Sequence, residues 1–228
     1  MRGISLVLPC LNEAKTLPKV LKDATDALLR CSMPSEIIVA DNGSDDGSPE
    51  IAAQGGAKVV NVSVKGYGVT LNAGILEARF DFIVFADADG TYPMESIPEM
   101  VELLSQVKGR LVLGSRFKGE IEPHAMPFLN RYLGTPVLTW ILRRLYHLPA
   151  SDCNSGMRAI TAETYSLLDM RCSGMEYSSE MLVKAALHRL DYAEIPISYR
   201  PGSRPSHMKR WRDGCRHLYF LLFRRTLS

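Results

Sequence analysis

The chain has 228 residues, 46% hydrophobic and 23% charged, a length for one large domain or two small ones and a balance ordinary for a globular protein. Five cysteines (Cys10, Cys31, Cys153, Cys172, Cys215) are scattered, with no CxxC pair. This argues against a disulfide framework or a zinc site and for reduced thiols in a cytoplasmic protein. The net charge of +2 hides a basic tail on an acidic body: residues 1–199 hold 19 Lys/Arg against 24 Asp/Glu, or −5, and residues 200–228 hold 8 against Asp213 alone, or +7. Such a tail suits nucleic acid, anionic membrane surfaces or phosphate groups.

Ile4 to Leu8 is a short apolar strand that Pro9 is expected to end. The run is too short, and too broken by Ser5, to be a signal peptide. No run reaches the ~18 apolar residues of a spanning helix, so any membrane contact is expected from the side. Leu17, Val20, Leu21, Ala24 and Leu28 predict a helix from about Thr16 to Cys31. Glu36–Ala40 is a second strand, closed by Asp41 and the turn cluster up to Ser48. Ser48-Pro49-Glu50 opens a helix, with serine as cap and proline at the first position. Lys58–Val62 is a third strand. Lys65-Gly66-Tyr67-Gly68 is a glycine loop that leads into a helix to about Arg79.

Phe82–Ala86 is five apolar residues without interruption, the pattern of a strand buried on both faces. It delivers Asp87 and Asp89 to its carboxyl end, where ligands bind in an open α/β sheet. Their hard oxygens suit Mg²⁺ or Mn²⁺; a solvated Asp-Gly turn is the plain alternative. Asn12-Glu13 and Asp41 come to the same rim. A helix from Ile97 to Val107 and a strand at Leu111–Leu113 follow. This alternation predicts a doubly wound, Rossmann-like α/β domain, with a mostly parallel central sheet and helices on both faces.

Beyond Gly114 the alternation breaks. Asn130–Tyr146 is a nearly apolar helix carrying Arg131, Arg143 and Arg144. A loop (152–158), helices at 163–168 and 177–187, a strand at 192–199 and a last helix over about 209–225 complete the chain. In the last helix Trp211, Cys215, Leu218, Tyr219 and Leu222 share one face. Wide apolar faces bordered by arginine and aromatics suit C-terminal amphipathic helices lying in a membrane interface; packing on their own domain is the competing reading. The expected organisation is one domain over 1–228, made of an alternating α/β half (1–115), a less regular second part (116–199) and a basic amphipathic tail (200–228).

Seven pieces stand in order: VLPCLNE (7–13), EIIVADNGSDDGS (36–48), KGYGVTLNAGI (65–75), FADADGTYP (85–93), GSRF (114–117), DCNSGMR (152–158) and KRWRDG (209–214). Together they resemble family 2 glycosyltransferases of the GT-A fold, above all the dolichyl- and polyprenyl-phosphate mannose and glucose synthases. The resemblance implies a metal-dependent, inverting transfer of a hexose from a UDP- or GDP-sugar to polyprenyl phosphate, by a protein peripheral to the inner membrane face. Pro9, Asn12, Glu13, Asp41, Asn42, Lys65, Gly66, Gly68, Asp87, Ala88 and Asp89 would bind the nucleotide sugar. Asp87 and Asp89 would hold Mg²⁺ or Mn²⁺, with Asp89 the principal ligand. Arg116, Arg131, Arg204 and Lys209 would hold the acceptor phosphate, and Arg158 would pair with an acid to fix the acceptor loop. Asp89 and Arg116 are the expected catalytic groups, joined by Glu180 as base if the acceptor is a hydroxyl. Thr91 stands where close dolichyl-phosphate mannose synthases often carry a glutamine as a further metal ligand. A soluble acceptor, or a sugar nucleotidyltransferase, are the alternatives; no nucleic-acid partner is expected.

Overall fold

The computed structural model describes residues 1–106, 110–202 and 210–223, with the backbone alone at 210–213, 215 and 223. Seven strands form one sheet: β1 (Ile4–Cys10), β2 (Ser35–Asp41), β3 (Lys58–Asn61), β4 (Phe82–Phe85), β5 (Arg110–Ser115), β6 (Arg158–Thr161) and β7 (Asp191–Pro196). Their order across the sheet is β3-β2-β1-β4-β6-β5-β7. Pairings β1–β2, β1–β4, β2–β3 and β5–β7 are parallel, while β6 runs antiparallel to both β4 and β5. The mostly parallel sheet is therefore as expected, and β6 is an addition to it. Its four residues, RAIT, follow a turn-rich loop and are too few for a periodicity to register.

β1 does not stop at Pro9 but continues to Cys10, paired with Asp41. The reason lies in the alternation of backbone groups. The Val7 carbonyl accepts from Ala86, so Val7 and Pro9 both turn their backbone groups toward β4. Ladder pairing with β4 ends at Val7–Phe85, so a missing N–H at Pro9 leaves no ladder partner unmet.

Helices cover both faces. On one side α1 (Leu17–Arg30), α2 (Ser48–Gln54) and α4 (Ile97–Gln106) pack through Val20, Ala24, Ala52, Ile97 and Met100. On the other, α3 (Tyr67–Leu76), α5 (Thr135–Tyr146), α6 (Ala162–Leu168), α7 (Tyr177–Leu187) and α8 (Arg210–Phe223) share a second core that includes Leu71, Leu142, Met181 and Phe220. A π-helical turn at Asn130–Gly134 leads into α5.

The last helix has two faces. Phe220 and Leu221 are buried, Arg216 pairs with Glu176 at 2.6 Å and His217 Nδ1 lies 2.7 Å from the Ser179 hydroxyl. Burial lowers the His217 pKa to about 4. Leu218, Tyr219 and Leu222, from the face singled out in the sequence, remain exposed.

Ile160 of β6 is fully buried and lies opposite Ile83 on one side and Leu111 on the other. Ile160→Ala is expected to cost about 2–5 kcal/mol, read as a lower urea midpoint at unchanged slope. A cost near zero would mean that β6 is not integral to the sheet.

Candidate active site

Loops at the carboxyl ends of β1, β2 and β4 meet at one rim and are tied together by side chains. Asn12, in the left-handed region at φ 59°, receives the Asp45 N–H on Oδ1 at 2.8 Å and donates its own N–H to the Ser44 hydroxyl at 2.8 Å. Glu13 is buried, and its N–H donates to Ser48 at 2.8 Å. The Thr16 hydroxyl lies 3.0 Å from both a Glu13 carboxylate oxygen and the Ala88 carbonyl, joining this loop to the DADG turn. Asp41 Oδ2 accepts from the backbone of Gly43 at 2.9 Å and Ser44 at 3.0 Å, closing an Asx turn. Asn42 donates to the carbonyls of Val62 and Val64 and accepts from Gly66, while the Lys65 ammonium bonds the Asn42 carbonyl. Much of the predicted nucleotide set is thus also the scaffold that shapes the rim.

Gly66 and Gly68 are expected to bind the nucleotide sugar; in the structure the N–H groups of Gly68 and Val69 donate to the Ser173 carbonyl at 3.0 and 3.3 Å. A Cβ on Gly66 would stand 2.3 Å from Ser173 O, and one on Gly68 2.2 Å from Cys172 O. These glycines therefore admit the 172–173 backbone against the start of α3, and the helix's orphan donors are satisfied there.

Asp87 and Asp89 follow β4 as predicted, each partly exposed. Tyr67, the first residue of α3, donates its hydroxyl to Asp87 Oδ1 at 3.0 Å. Thr91 donates its N–H at 3.0 Å and its hydroxyl at 2.6 Å to Asp89 Oδ1. Thr91 thus orients the second carboxylate. Burial, then the Asp89 charge, raises the Asp87 pKa to about 7, with Glu13 adding to the rise against the opposing pull of Tyr67 and Arg116. Gly156 completes the wall, since a Cβ there would lie 2.8 Å from Asp87 Oδ2.

Arg116 is buried and bound on one edge by Asp152, Nε–Oδ2 2.6 Å and Nη2–Oδ1 2.7 Å. Its guanidinium sits 4.9 Å from the Tyr199 ring centre, which meets Tyr92 edge-on at 5.3 Å. Burial opposes the Arg116 charge, but Asp152, Tyr92 and Tyr199 outweigh it and hold the pKa above the ordinary value. The Tyr92 hydroxyl accepts from the Gly156 N–H at 2.7 Å, so this stack supports the glycine that walls Asp87.

Two expectations change here. Arg158 was expected to pair with an acid; its guanidinium instead donates to the carbonyls of Ser155, Ser178 and Cys153 at 3.1, 2.7 and 3.1 Å, and Asp152 goes to Arg116. Burial lowers the Arg158 pKa. Glu180 does not stand free as a base. It is fully buried, accepts from the backbone of Arg171 and Cys172 at 3.0 and 2.7 Å, and pairs with Lys184 at 3.1 Å. It pins the loop that caps α3. Arg131 has its Nη1 3.5 Å from the Ile121 carbonyl and its guanidinium over the Tyr132 ring. Arg204 and Lys209 lie outside the described residues. Tyr67, Tyr92, Tyr199, Asp152 and Gly156 were not expected as parts of the site's wall. Tyrosines embedded in the glycine loop and in the DGTYP turn were the available signal.

Among the described residues no group of three or more His, Cys, Asp or Glu is gathered for a metal ion. The carboxylate pair nevertheless fits a hard cation, because burial and mutual repulsion leave it short of positive charge. Mg²⁺ and Mn²⁺ are commonly held by one or two carboxylates with phosphate oxygens and water filling the remaining positions.

The arrangement is the GT-A class of nucleotide-site α/β fold. Glucosyl-3-phosphoglycerate synthase from Mycobacterium tuberculosis, solved with Mn²⁺, UDP and phosphoglyceric acid, superposes with a TM-score of 0.78 at 23% identity, over 100% of this chain and 80% of that one. The family model for glycosyl transferase family 2 matches residues 5–165, and the chain belongs to that family. The low-salt glycan biosynthesis hexosyltransferase of Haloferax volcanii is 36% identical over 219 residues, 96% of this chain; the chain spans about half of that relative, 53%. A dolichyl-phosphate hexose transferase of the same organism is 32% identical over 86% of this chain and 82% of its own length.

Asp152→Ala leaves the Arg116 charge buried and uncompensated, and is expected to cost about 3–5 kcal/mol. Combining it with Arg116→Met should restore most of that loss in thermal melts; no rescue would mean that the pair is not the source. In the metal-free protein the raised Asp87 pKa means that the folded state keeps a proton which the unfolded chain has lost between about pH 4 and pH 7, so stability falls as pH rises through that window. Asp87→Asn should remove that component of the slope, measured by urea unfolding at a series of pH values.

Proposed function

We propose that the protein is an inverting, metal-dependent hexosyltransferase that moves a sugar from a UDP- or GDP-sugar to polyprenyl phosphate at a membrane surface. The observation that carries the donor half is the Asp87–Asp89 pair at the carboxyl end of β4, each carboxylate aimed by its own hydroxyl donor, Tyr67 or Thr91. Those carboxylates would hold Mg²⁺ or Mn²⁺, which when bound neutralises the charge gained by the nucleoside diphosphate leaving group. The rim built from Pro9, Asn12, Glu13, Asp41, Asn42, Lys65 and Ala88 would receive the nucleotide.

An oxygen of the acceptor phosphate attacks the anomeric carbon as the bond from that carbon to the diphosphate breaks, and the electron pair leaves with the diphosphate. One displacement inverts the configuration. A phosphate acceptor is already anionic, so the step asks for positioning more than for a base. Burial of Glu180 agrees with this. Asp152 occupies one edge of the Arg116 guanidinium; the other edge and Arg131 are the cations proposed for the acceptor phosphate.

The lipid acceptor draws support from the surface ahead of and along α5. Phe128, Leu129, Tyr132, Leu133, Val137 and Trp140 are all exposed, and Leu218, Tyr219 and Leu222 are exposed on α8. Faces of this kind suit a helix lying in the membrane interface. Among the described residues no helix is long and apolar enough to cross a membrane. The dolichyl-phosphate hexose transferase relative agrees with this acceptor. A soluble phosphorylated acceptor is the second reading, favoured by the structural likeness to a synthase solved with phosphoglyceric acid.

Purified protein with a labelled sugar nucleotide, Mg²⁺ and short-chain polyprenyl phosphate is expected to form an organic-extractable product. Transfer only to a soluble phosphate would overturn the lipid reading. Asp89→Ala should lower turnover by about a hundred- to a thousandfold, the scale of losing one major electrostatic group; substantial activity in that variant would contradict the assignment of Asp89.

A further inference from the structure

Beside α5 lies a cavity of about 560 Å³ whose lining does not include the carboxylate pair, within the size range of small-ligand sites. Phe117, Pro136 and Trp140 supply its apolar walls, and Arg143 and Arg144 its charge. Its two hydroxyl residues are fixed in place. Thr139 Oγ1 accepts the Cys153 N–H at 3.1 Å, and Ser151 donates its N–H and its hydroxyl to Glu194 at 2.8 and 2.7 Å. Among the described residues no carboxylate lines the cavity. Two acids adjoin Ser151: the Glu194 side chain is 1% exposed and paired with Lys118 at 2.8 Å, and that of Asp152 is fully buried and paired with Arg116 at 2.6 Å.

The sequence around it is equally one-sided. Residues 123–151 contain no Asp or Glu, but do contain Arg131, Arg143 and Arg144. Trp140 is 64% exposed and continues the apolar strip that begins at Phe128. A ligand suited to these walls is an anion with an apolar body. Arginine holds phosphate through paired donors, and an exposed tryptophan suits the level where headgroups meet acyl chains.

We propose that this cavity takes the phosphate of an anionic bilayer phospholipid, with Arg143 and Arg144 as its cations and Trp140 set among the headgroups. The inference rests on reading the α5 face as membrane-docking, and it adds a lipid distinct from the sugar acceptor. The cavity is thus an anchor that makes attachment dependent on anionic lipid, because juxtamembrane arginines gain from the negative surface of such bilayers.

Co-sedimentation with vesicles of phosphatidylcholine, alone or mixed with phosphatidylglycerol, tests it, with neither donor nor polyprenyl phosphate present. Wild-type protein should bind the mixed vesicles far more strongly, and Arg143→Gln/Arg144→Gln should lose about tenfold or more of that binding. A charge-matched control on α1, Lys22→Gln/Arg30→Gln, should stay near wild type. Circular dichroism checks that each variant is folded. Equal loss in the control would mean diffuse attraction and would overturn the site, as would undiminished binding by the Arg143/Arg144 variant. Release from mixed vesicles by millimolar glycerol phosphate would assign the cavity to a soluble phosphate compound and overturn the lipid. Intact vesicle binding without transfer to polyprenyl phosphate would fault the proposed reaction and leave the anchor standing.

Discussion

Two carboxylates one residue apart at the end of a buried strand repel each other, and the surrounding chain is arranged around that repulsion. β4 is apolar on both faces and cannot carry the charge away. Each carboxylate is instead held by a hydroxyl, from Tyr67 or from Thr91. Burial and the Asp89 charge push the Asp87 pKa up to about 7, and a cation held between the two carboxylates would oppose that rise. Neighbouring features follow from keeping this pair in place: a glycine at 156 close against Asp87, and Tyr92 accepting from that glycine's N–H.

A second layer holds the first. Arg116 acts on Asp87 from a buried position and requires Asp152 to remain charged there. Glu180 stands further back. Its carboxylate fixes the 171–172 backbone, the adjoining Ser173 carbonyl caps α3, and α3 begins with the tyrosine that holds Asp87. A residue that reads in sequence as a general base thus acts on loop geometry. A buried carboxylate whose oxygens accept from backbone N–H groups anchors that backbone.

The alternation of apolar strands and amphipathic helices up to Leu113 was legible because each element carries its period in a handful of residues, as Leu17, Val20, Leu21 and Ala24 do for α1. Asp87 and Asp89 were legible because acids directly after an apolar strand are costly without a purpose. Partnerships were not. Nothing in the spacing says that Asp152 takes Arg116 and leaves Arg158 to three carbonyls, since that choice is made by the packing of residues far apart in the chain. The glycine loop was ambiguous for a similar reason: small residues admit either a ligand or another stretch of backbone, and here the 172–173 backbone lies against both glycines. β6 escaped because four residues cannot display a period.

β6 also sets an order in time. β5 pairs only with β6 and β7 within the sheet, and β4 gains its second neighbour only from β6. As the chain leaves the ribosome, β1 to β4 can assemble as a parallel unit, but β5 then waits more than forty residues for residues 158–161. During that interval Leu111, Val112 and Leu113, all fully buried at the end, have no place in the sheet. Such a strand invites association with other nascent chains. The growing polypeptide is most vulnerable between completion of β5 and emergence of β6, and chaperone demand should concentrate there.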